Sequence, residues 1–433
     1  MSGSLPSTTE VCIVGAGPSG LSCALALAAR QIPFVIVDAL SEAHNDSRTI
    51  VLFPSGLEAL KTVDSQIPAN ILSVGVKGEA FRMRDRNGKT VFTIPFEPAL
   101  KSHTQYPFAL IVRQDDVERQ LRKSLPNHIH FNSRVCGVSQ VAEGSQYELQ
   151  FESGHVLTAR YVVAADGSKS FLRTFAGIPF VDPITKKPAA PGRADKSFVV
   201  ADVVFEKLPT NLPREILQIK VADEGFVMTG PMVDSSLPDD LKQNLFRLYL
   251  NTVDIPPPNP DITYLQGILD ARGAGLCSTP LEVPRIGKLL SSSRFRTRNA
   301  LADSYVHAAP GGAYILLAGD SAHTHGPGGG QGMSLGIGDG VELGQAIDEH
   351  RTAVLGGKND VDAASIFHAY STRRRAIARQ VIVMVTDMSQ VEAGSAGWGP
   401  YLRIWVVWML TKLPIVRRMM AWQISGLANV KKQ

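Results

Sequence analysis

The sequence predicts an α/β fold in which a parallel sheet carries the functional loops and an antiparallel sheet is inserted. Three short apolar segments, 11–14, 161–164 and 315–318, each lead into a turn rich in glycine or aspartate. Buried parallel strands are continuously apolar in this way. Alternating segments between 73 and 104 and strand-like runs at 198–232, separated by turn-forming residues, predict the antiparallel sheet.

Length and composition indicate a globular enzyme. A chain of 433 residues can bury a large core and is expected to form two or three subdomains. The net charge of +4 comes from the carboxyl-terminal tail, where basic residues and no acidic residue follow Glu392. A basic tail on a near-neutral body argues against general nucleic-acid binding.

Four widely spaced cysteines, Cys12, Cys23, Cys136 and Cys277, form no CxxC pair. This spacing excludes a redox-active dithiol of the disulfide-reductase kind and offers no metal site of the zinc type. Free cysteines in apolar segments favour a reducing compartment. Since the first residues also lack the basic and apolar regions of a signal peptide, we expect a cytoplasmic location.

The first apolar strand leads into a glycine-rich turn and a helix. The turn contains Gly15, Gly17 and Gly20, and a second strand, 34–37, ends at Asp38. This is the pattern of a Rossmann-like dinucleotide site: the glycines allow a tight turn, approach to a pyrophosphate and close helix packing, respectively. Asp38 would bind the ribose of an adenosine, and its charge favours FAD or NAD over NADP.

The third apolar strand leads into a second glycine-rich loop, residues 319–333, which we call the GD loop. Gly319 turns the backbone so that Asp320 can accept hydrogen bonds from the hydroxyls of a sugar alcohol. The segment 326–330 has so little side-chain bulk that a flat ring can lie against its backbone. The following helix directs amides and a partial positive charge at the loop, which suits a flavin that becomes anionic on reduction.

The GD loop resembles the second FAD signature of the flavin-dependent aromatic hydroxylases, whose founding member is para-hydroxybenzoate hydroxylase. Its Gly-Asp pair, the histidine three residues after the aspartate, the proline, the glycines and Gly-Gln-Gly-Met recur at the family's spacing. The resemblance implies that Pro327, Gly330 and Met333 bind the flavin beside Asp320.

Three residues around this loop need separate interpretation. Ser334 stands where the family commonly has asparagine, and Gly340 where alanine is usual. We expect both beside the pyrimidine edge of the flavin. His323 could act as an acid or base near neutral pH, but in this motif we expect it to bond the backbone and shape the turn.

The resemblance also covers three upstream positions. Arg48 matches the arginine that reaches the flavin side of the pyrophosphate, with a solvated surface arginine as the alternative. At Arg113, the family arginine or its neighbour touches FAD; the alternative is an ion pair with Asp116 or Glu118.

Residues 165–173 resemble the family's ADGxxSxxR motif. Asp166 can then bond the ribityl chain or the chain between the two nucleotides, with Arg173 paired back to it. The motif also serves the approach of the nicotinamide cofactor in the family. A structural role for Asp166 at a helix N-terminus is compatible with this interpretation.

These assignments divide the chain into three parts. A discontinuous Rossmann-like FAD-binding domain comprises 1–75, 105–180 and 285–350, and a substrate domain comprises 76–104 and 181–284. Helices form the remainder, 351–433. The substrate is expected between the flavin and the antiparallel sheet, whose side chains would select it.

The resemblance implies an FAD-dependent monooxygenase. NADH or NADPH, as a transient reductant, would reduce FAD, and O2 would form a C4a-hydroperoxyflavin that hydroxylates or epoxidises an electron-rich, aromatic small molecule. No second GxGxxG is present to hold a nicotinamide cofactor permanently. The alternatives are a flavin dehydrogenase or reductase of the same fold, or a flavin-containing interaction protein at a membrane surface.

The basic tail, 396–433, has two interpretations. It contains all four tryptophans and a short apolar run, 404–410, of about seven residues against the roughly twenty that span a bilayer. Pro414 is expected to end the helix of this run. Tryptophan and basic residues on a short apolar helix are typical of a membrane-surface segment. The other interpretation, which the resemblance favours, is a helical cap on the substrate domain.

Overall fold

Two large sheets organise the chain, as the predicted α/β fold requires. The computed structural model describes residues 4–43, 49–125, 129–141, 144–188, 196–222, 225–234, 237–252, 254–273, 275–277, 282–327, 329–392, 406 and 408–430. Within them lie an eight-stranded sheet, a seven-stranded sheet and two three-stranded sheets. The small sheets comprise Phe180–Val181, Ala300–Ala302 and His323–Thr324, and Val51–Leu52, Ala109–Ile111 and Val76–Gly78.

The first large sheet contains the predicted parallel strands. Its main order is Val306–Ala308, Tyr314–Leu317, Val156–Ala164, Thr8–Val14, Phe34–Val37 and Ile129–His130. All neighbours from the second to the sixth strand pair in parallel. Antiparallel strands Tyr147–Phe151 and Val135–Gln140 extend the sheet from Val156–Ala164. Residues Val11–Ile13 and Ile315–Leu317 are fully buried, which explains their continuously apolar sequence.

The second large sheet is mixed rather than purely antiparallel. Its order is Ile286–Thr297, Lys196–Phe205, Leu245–Thr252, Gly225–Pro231, Ile216–Ala222, Ala80–Arg84 and Thr90–Pro95. Only Ile216–Ala222 and Ala80–Arg84 pair in parallel. The predicted hairpin turn at Asn87-Gly88 is confirmed, and Gly88 has φ +78°.

One predicted boundary does not follow the sheets. The interpretation of the sequence assigned residues 285–350 to the FAD-binding domain, but Ile286–Thr297 pairs along its length with Lys196–Phe205. This strand therefore belongs to the second sheet. Long-range pairing decides its position, and its sequence alone does not reveal the partner.

Helices surround both sheets. They span Pro18–Ala28, Pro54–Lys61, Gln66–Leu72, Glu97–Leu100, Gln114–Lys123, Phe171–Phe175, Asp239–Lys242, Ile262–Arg272, Gly332–Leu355, Asp360–Ala363, Ser365–Glu392, Pro414–Ile424 and Leu427–Val430. We call Pro18–Ala28 the first helix and Gly332–Leu355 the long helix.

The first helix and the long helix touch through glycines. A Cβ added at Gly340 would lie 2.2 Å from the carbonyl oxygen of Ser19, and one added at Gly344 would lie 2.6 Å from Cβ of Ala26. Only glycine allows backbones this close, because every other residue carries a Cβ. Gly340 therefore packs helix against helix, and its expected place beside the flavin stays a prediction.

The carboxyl-terminal helix Pro414–Ile424 covers part of the second sheet. Ala421, Ile424 and Leu427 are buried in the core beneath that sheet, as expected of a cap. The helical residues 408–410 end before Pro414, as expected, and Pro414 begins the next helix because its fixed φ suits the first helical turn. In the described part of the chain, no helix is both long and apolar enough to traverse a bilayer.

The glycine contact between the helices predicts opposite effects for two matched substitutions. Gly340→Ala should destabilise the fold by about 1–3 kcal/mol, because its Cβ would collide with the Ser19 carbonyl. Gly267→Ala, in the exposed face of Ile262–Arg272 where an added Cβ meets nothing within 4 Å, should stabilise by about 0.5–1 kcal/mol. Urea unfolding monitored by circular dichroism measures both. A shift of the same sign in the two variants would contradict the packing argument.

Candidate functional site

Four turns meet at the carboxyl edge of the first sheet. They follow the neighbouring strands Thr8–Val14, Phe34–Val37, Val156–Ala164 and Tyr314–Leu317. A cavity of about 670 Å³ is lined by residues of all four turns, among them Gly15, Gly17, Asp38, Asp166 and Asp320. In open α/β sheets, ligands bind in the crevice outside the carboxyl ends of the strands. The structure thus brings the predicted motifs to one site.

The three glycines of the first turn have different surroundings. Gly15 has φ +110°, and an added Cβ would lie 2.2 Å from the carbonyl oxygen of Ala165. At Gly20 it would lie 2.0 Å from the Gly15 carbonyl oxygen. At Gly17, which lines the cavity, it would meet nothing within 4 Å. Gly15 and Gly20 are thus required by the protein's own packing, whereas Gly17 leaves open space for a ligand.

Two carboxylates stand on the outer two of these four turns. Asp38 Oδ2 accepts the Ala16 amide at 2.7 Å, and Oδ1 accepts the Leu40 amide at 2.9 Å. These bonds fix the carboxylate where the second strand ends. Asp320, in the short 3-10 turn Gly319–Ser321, is exposed and lines the cavity from the GD loop.

Asp166 has one satisfied and one unsatisfied carboxylate oxygen. Its Oδ2 accepts the Leu172 amide at 3.2 Å, while its buried Oδ1 has no hydrogen-bond partner among the described residues. Burial raises the pKa of this carboxyl group. A buried polar atom without a partner is unfavourable, so a ligand hydroxyl donating to Oδ1 would stabilise the site. Ser170 caps the helix that follows, accepting the Arg173 amide at 2.9 Å.

Arg173 connects two of the turns through backbone carbonyls. Its guanidinium donates to Ser321 O at 2.7 Å and to Ser168 O at 3.1 Å. The predicted pairing with Asp166 is therefore replaced by a link between the Asp166 turn and the GD loop.

The GD loop is held from beneath by Asp339 of the long helix. This fully buried carboxylate accepts the Gly319 amide at 2.9 Å and Arg374 Nε at 2.5 Å, and lies 2.6 Å from His323 Nε2. Burial by itself would raise the pKa of Asp339, but Arg374 and His323 hold the pKa below its usual range.

The side chain of His323 therefore bonds the carboxylate of Asp339, whereas we expected it to bond a backbone group. His323 is only 1% exposed and is not among the residues that line the cavity, whereas His325 is. Two arginines of the helix Ser365–Glu392 pack against the long helix in the same region. Arg374 is buried against Asp339, and Arg373 pairs with Glu342.

The remaining predicted residues of the GD loop lie at the cavity. Pro327, Gly330 and Met333 line it, and Gly330 has φ +61°, which favours glycine. Ser334 is not among the residues that line this cavity, and its expected place beside the flavin stays a prediction. Its buried hydroxyl accepts the Phe53 amide at 2.9 Å and so ties the long helix to Pro54–Lys61.

Arg113 makes structural ion pairs. Its Nε lies 3.0 Å from Asp115 Oδ1, and its Nη1 lies 3.5 Å from Asp202 Oδ2 in the second sheet. These two partners differ from Asp116 and Glu118, the alternatives drawn from the sequence, and the contact of Arg113 with FAD stays a prediction. Arg113 connects the helix Gln114–Lys123 to the second sheet.

One face of the helix Gln114–Lys123 also lines the cavity, and the interpretation of the sequence did not include it in the site. Gln114, Glu118 and Arg122 line the cavity, and their spacing of four residues places them on one side of the helix. This periodicity was the available signal. Lys169 also lines the cavity. Arg48 lies outside the described residues, so its role stays a prediction.

The second sheet supplies an aromatic wall on the other side of the cavity. Met228, Tyr249, Phe295 and Thr297 line this part. The Phe295 ring stacks on Phe198, with centroids 5.2 Å apart, and meets Tyr249 edge-on at 5.5 Å. A flat, apolar molecule would find a complementary surface there.

The chain matches a known protein family and several known proteins. The family described as FAD binding domain matches residues 8–245 and 284–385. Pentachlorophenol 4-monooxygenase of Sphingobium chlorophenolicum is 24% identical, covering 96% of this chain and 70% of that protein. Dialkyldecalin synthase of Streptomyces rugosporus is 28% identical over 77% of this chain and 64% of its own length.

A solved structure shows the same fold. The crystal structure of p-nitrophenol 4-monooxygenase PnpA from Pseudomonas putida DLL-E4 superposes with a TM-score of 0.75. The match covers 98% of this chain and 99% of that chain, at 22% identity.

Removing the charge of Asp339 tests how the GD loop is supported. Asp339→Asn should destabilise the protein by about 3–5 kcal/mol, because it removes the nearer carboxylate partner of buried Arg374 and leaves only Glu342 at 3.7 Å. Asp348, on the same helix as Asp339, is a partly exposed carboxylate that pairs with Arg30 beyond the end of the first helix, and Asp348→Asn should change stability by less than about 1 kcal/mol. Thermal unfolding of both variants provides the comparison. A comparable loss of stability in the two variants would contradict the argument that the buried ion pair contributes more than the exposed one.

Proposed function

The chain belongs to the family of FAD-dependent aromatic hydroxylases, and on this premise we propose that it is a monooxygenase that uses NADH or NADPH and O2. Its substrate is an electron-rich, aromatic small molecule, which it hydroxylates or epoxidises. One observation carries the proposal: a single cavity extends from Gly17 and Asp38 past the GD loop to the aromatic wall of the second sheet. A dinucleotide and a flat substrate would therefore share one space.

The residues around the cavity fit FAD. Asp38 would hold the adenosine ribose, and the open space at Gly17 would admit the pyrophosphate. Asp320 would accept hydrogen bonds from the ribityl chain, and the unsatisfied oxygen of Asp166 would accept another. The ring would lie on the backbone of the GD loop near Gly330.

When bound, FAD would supply the redox chemistry: two electrons from the reductant would reduce O2, so that one oxygen atom enters the substrate and the other leaves as water. The protein's own residues position both partners and restrict water. Asp339 fixes the Gly319 amide next to Asp320, and the aromatic wall orients the substrate ring.

Labelled oxygen tests the proposal directly. Holoprotein given NADH or NADPH, 18O2 and a panel of phenols should release a product that contains one 18O atom. Consumption of the reductant without any labelled product would instead support the flavin dehydrogenase or reductase alternative. Conversion of a substrate without label or reductant would instead indicate a redox-neutral activity. Either result would overturn the monooxygenase proposal.

Substitution of Asp320 tests how the cofactor is held. Asp320→Ala should weaken FAD binding by about 10- to 100-fold, because hydrogen bonds to a charged group contribute roughly 1.5–3 kcal/mol. Asp303→Ala, an exposed carboxylate outside the cavity lining, should leave flavin content unchanged. Flavin fluorescence titration of the two apoproteins measures this difference. Full retention of FAD by Asp320→Ala would contradict the assigned role.

We infer a second property, contact with an anionic membrane surface, from the outer side of the carboxyl-terminal segment. Apolar side chains there are exposed, including Leu413 at 51%, Ile415 at 75% and Met419 at 54%. Basic residues Lys412, Arg417 and Arg418 stand among them. Apolar and cationic side chains together suit a surface of anionic lipids.

Vesicle sedimentation tests this property. The holoprotein should pellet with anionic vesicles more than with zwitterionic ones, and Ile415→Ser should reduce that binding about 10-fold. Leu355→Ser, an equally exposed apolar residue on the long helix, is the control and should have no effect. Equal binding of the two variants would contradict the membrane contact.

A further inference from the structure

We propose that His325 accepts a hydrogen bond from the hydroxyl group of an uncharged phenolic substrate and thereby sets the orientation of its ring. This inference rests on the proposed function and adds a residue and a substrate class to it. His325 lies in the GD loop two residues after His323, and unlike His323 it lines the cavity.

His325 stands where the GD loop, the long helix and the second sheet meet. Its Nε2 lies 3.7 Å from the position of a Cβ added at Gly332, the first residue of the long helix. The next residue, Gly326, faces the second sheet, since a Cβ there would lie 3.8 Å from Thr297 Oγ1. The imidazole therefore lies beside the start of the long helix, in a cavity that Thr297 and the rest of the aromatic wall also line.

A backbone contact fixes which ring nitrogen carries the proton. Nδ1 of His325 lies 2.7 Å from the carbonyl oxygen of Gly326. A carbonyl oxygen can only accept, so Nδ1 donates and, in the neutral ring, Nε2 carries a lone pair. The cavity side of the imidazole is thus a hydrogen-bond acceptor.

The imidazole stays neutral over the physiological pH range. Burial lowers the pKa of His325 to about 4, although the Gly326 carbonyl raises it, and the nearby His323 lowers it further. A phenol with a pKa of about 10 would keep its proton beside such a weak base. His325 therefore shares the proton in a hydrogen bond and orients the hydroxyl without removing its hydrogen.

The surroundings favour a substrate without charge. The side chains of the second sheet that line the cavity are Met228, Tyr249, Phe295 and Thr297, none of them charged. A carboxylate placed against them would lose its hydration without gaining a cation. The charged residues that line the described cavity belong to the dinucleotide side or the GD loop: Asp38, Glu118, Arg122, Arg134, Asp166, Lys169 and Asp320.

Three neutral or charged probes of one shape test the proposal by binding alone. Oxidised holoprotein without reductant is titrated calorimetrically with 2-naphthol, 2-methoxynaphthalene and 2-naphthoate. We expect 2-naphthol to bind about 10-fold more tightly than its methyl ether, which cannot donate a hydrogen bond. The naphthoate should bind at least about 10-fold more weakly than 2-naphthol.

Two substitutions separate the acceptor from the loop contact. In His325→Asn the amide nitrogen can replace Nδ1 towards Gly326, but no acceptor reaches the position of Nε2, so the preference for naphthol over its ether should vanish. His325→Gln places an amide oxygen near that position and should restore the preference. A structural role of His325 would lower the affinity for both probes equally.

The pH dependence gives a further independent readout. Because His325 stays neutral, the naphthol preference should remain constant from about pH 8 to about pH 5.5. A loss of preference near pH 6.5 would contradict the assignment, as would a full preference in His325→Asn or no binding of any probe. Each variant's flavin absorbance verifies cofactor occupancy. A failed oxygen-label experiment with intact naphthol discrimination would reject only the monooxygenase proposal.

Discussion

A single buried carboxylate, that of Asp339, holds the GD loop in place. Asp339 contacts the Gly319 amide, the His323 ring and the Arg374 guanidinium, and so ties the loop to the long helix and to the helix Ser365–Glu392. In a low-dielectric interior such a charge is stable only when it is fully paired, so its partners are constrained together. The position of Asp320, one residue after Gly319, depends on this arrangement.

Close backbone approaches complete the dinucleotide side of the site. The long helix lies against the first helix through Gly340 and Gly344, and Gly319 leaves 2.1 Å between its missing Cβ and the Ser19 hydroxyl. The two helices could not approach each other so closely if Gly340 and Gly344 were larger residues. The turn after the first strand and the GD loop are therefore held at a fixed separation. Most of the cavity's geometry on this side comes from backbone packing.

Ion pairs align the substrate wall with this frame. Asp202 of the second sheet pairs with Arg247 at 2.7 Å, while Arg113 approaches the same carboxylate from the helix Gln114–Lys123. Arg247 also donates to the Thr49 carbonyl oxygen. These contacts tie the second sheet to Thr49 and to the start of the helix Gln114–Lys123, and both Thr49 and Gln114 line the cavity. Arg113 thus supports the site indirectly in this structure.

The sequence by itself determined the features that depend on neighbouring residues. Continuous apolar runs predicted the parallel strands, and the glycines and aspartates after them predicted the turns at the cavity, because strand and turn preferences are local. Only the tertiary structure decided which partners His323, Arg173 and Ser334 would bind, and that Ile286–Thr297 would join the second sheet. Their partners are distant in the chain or are backbone groups common to every residue. No local preference encodes such a choice, since it follows from which surfaces are buried together.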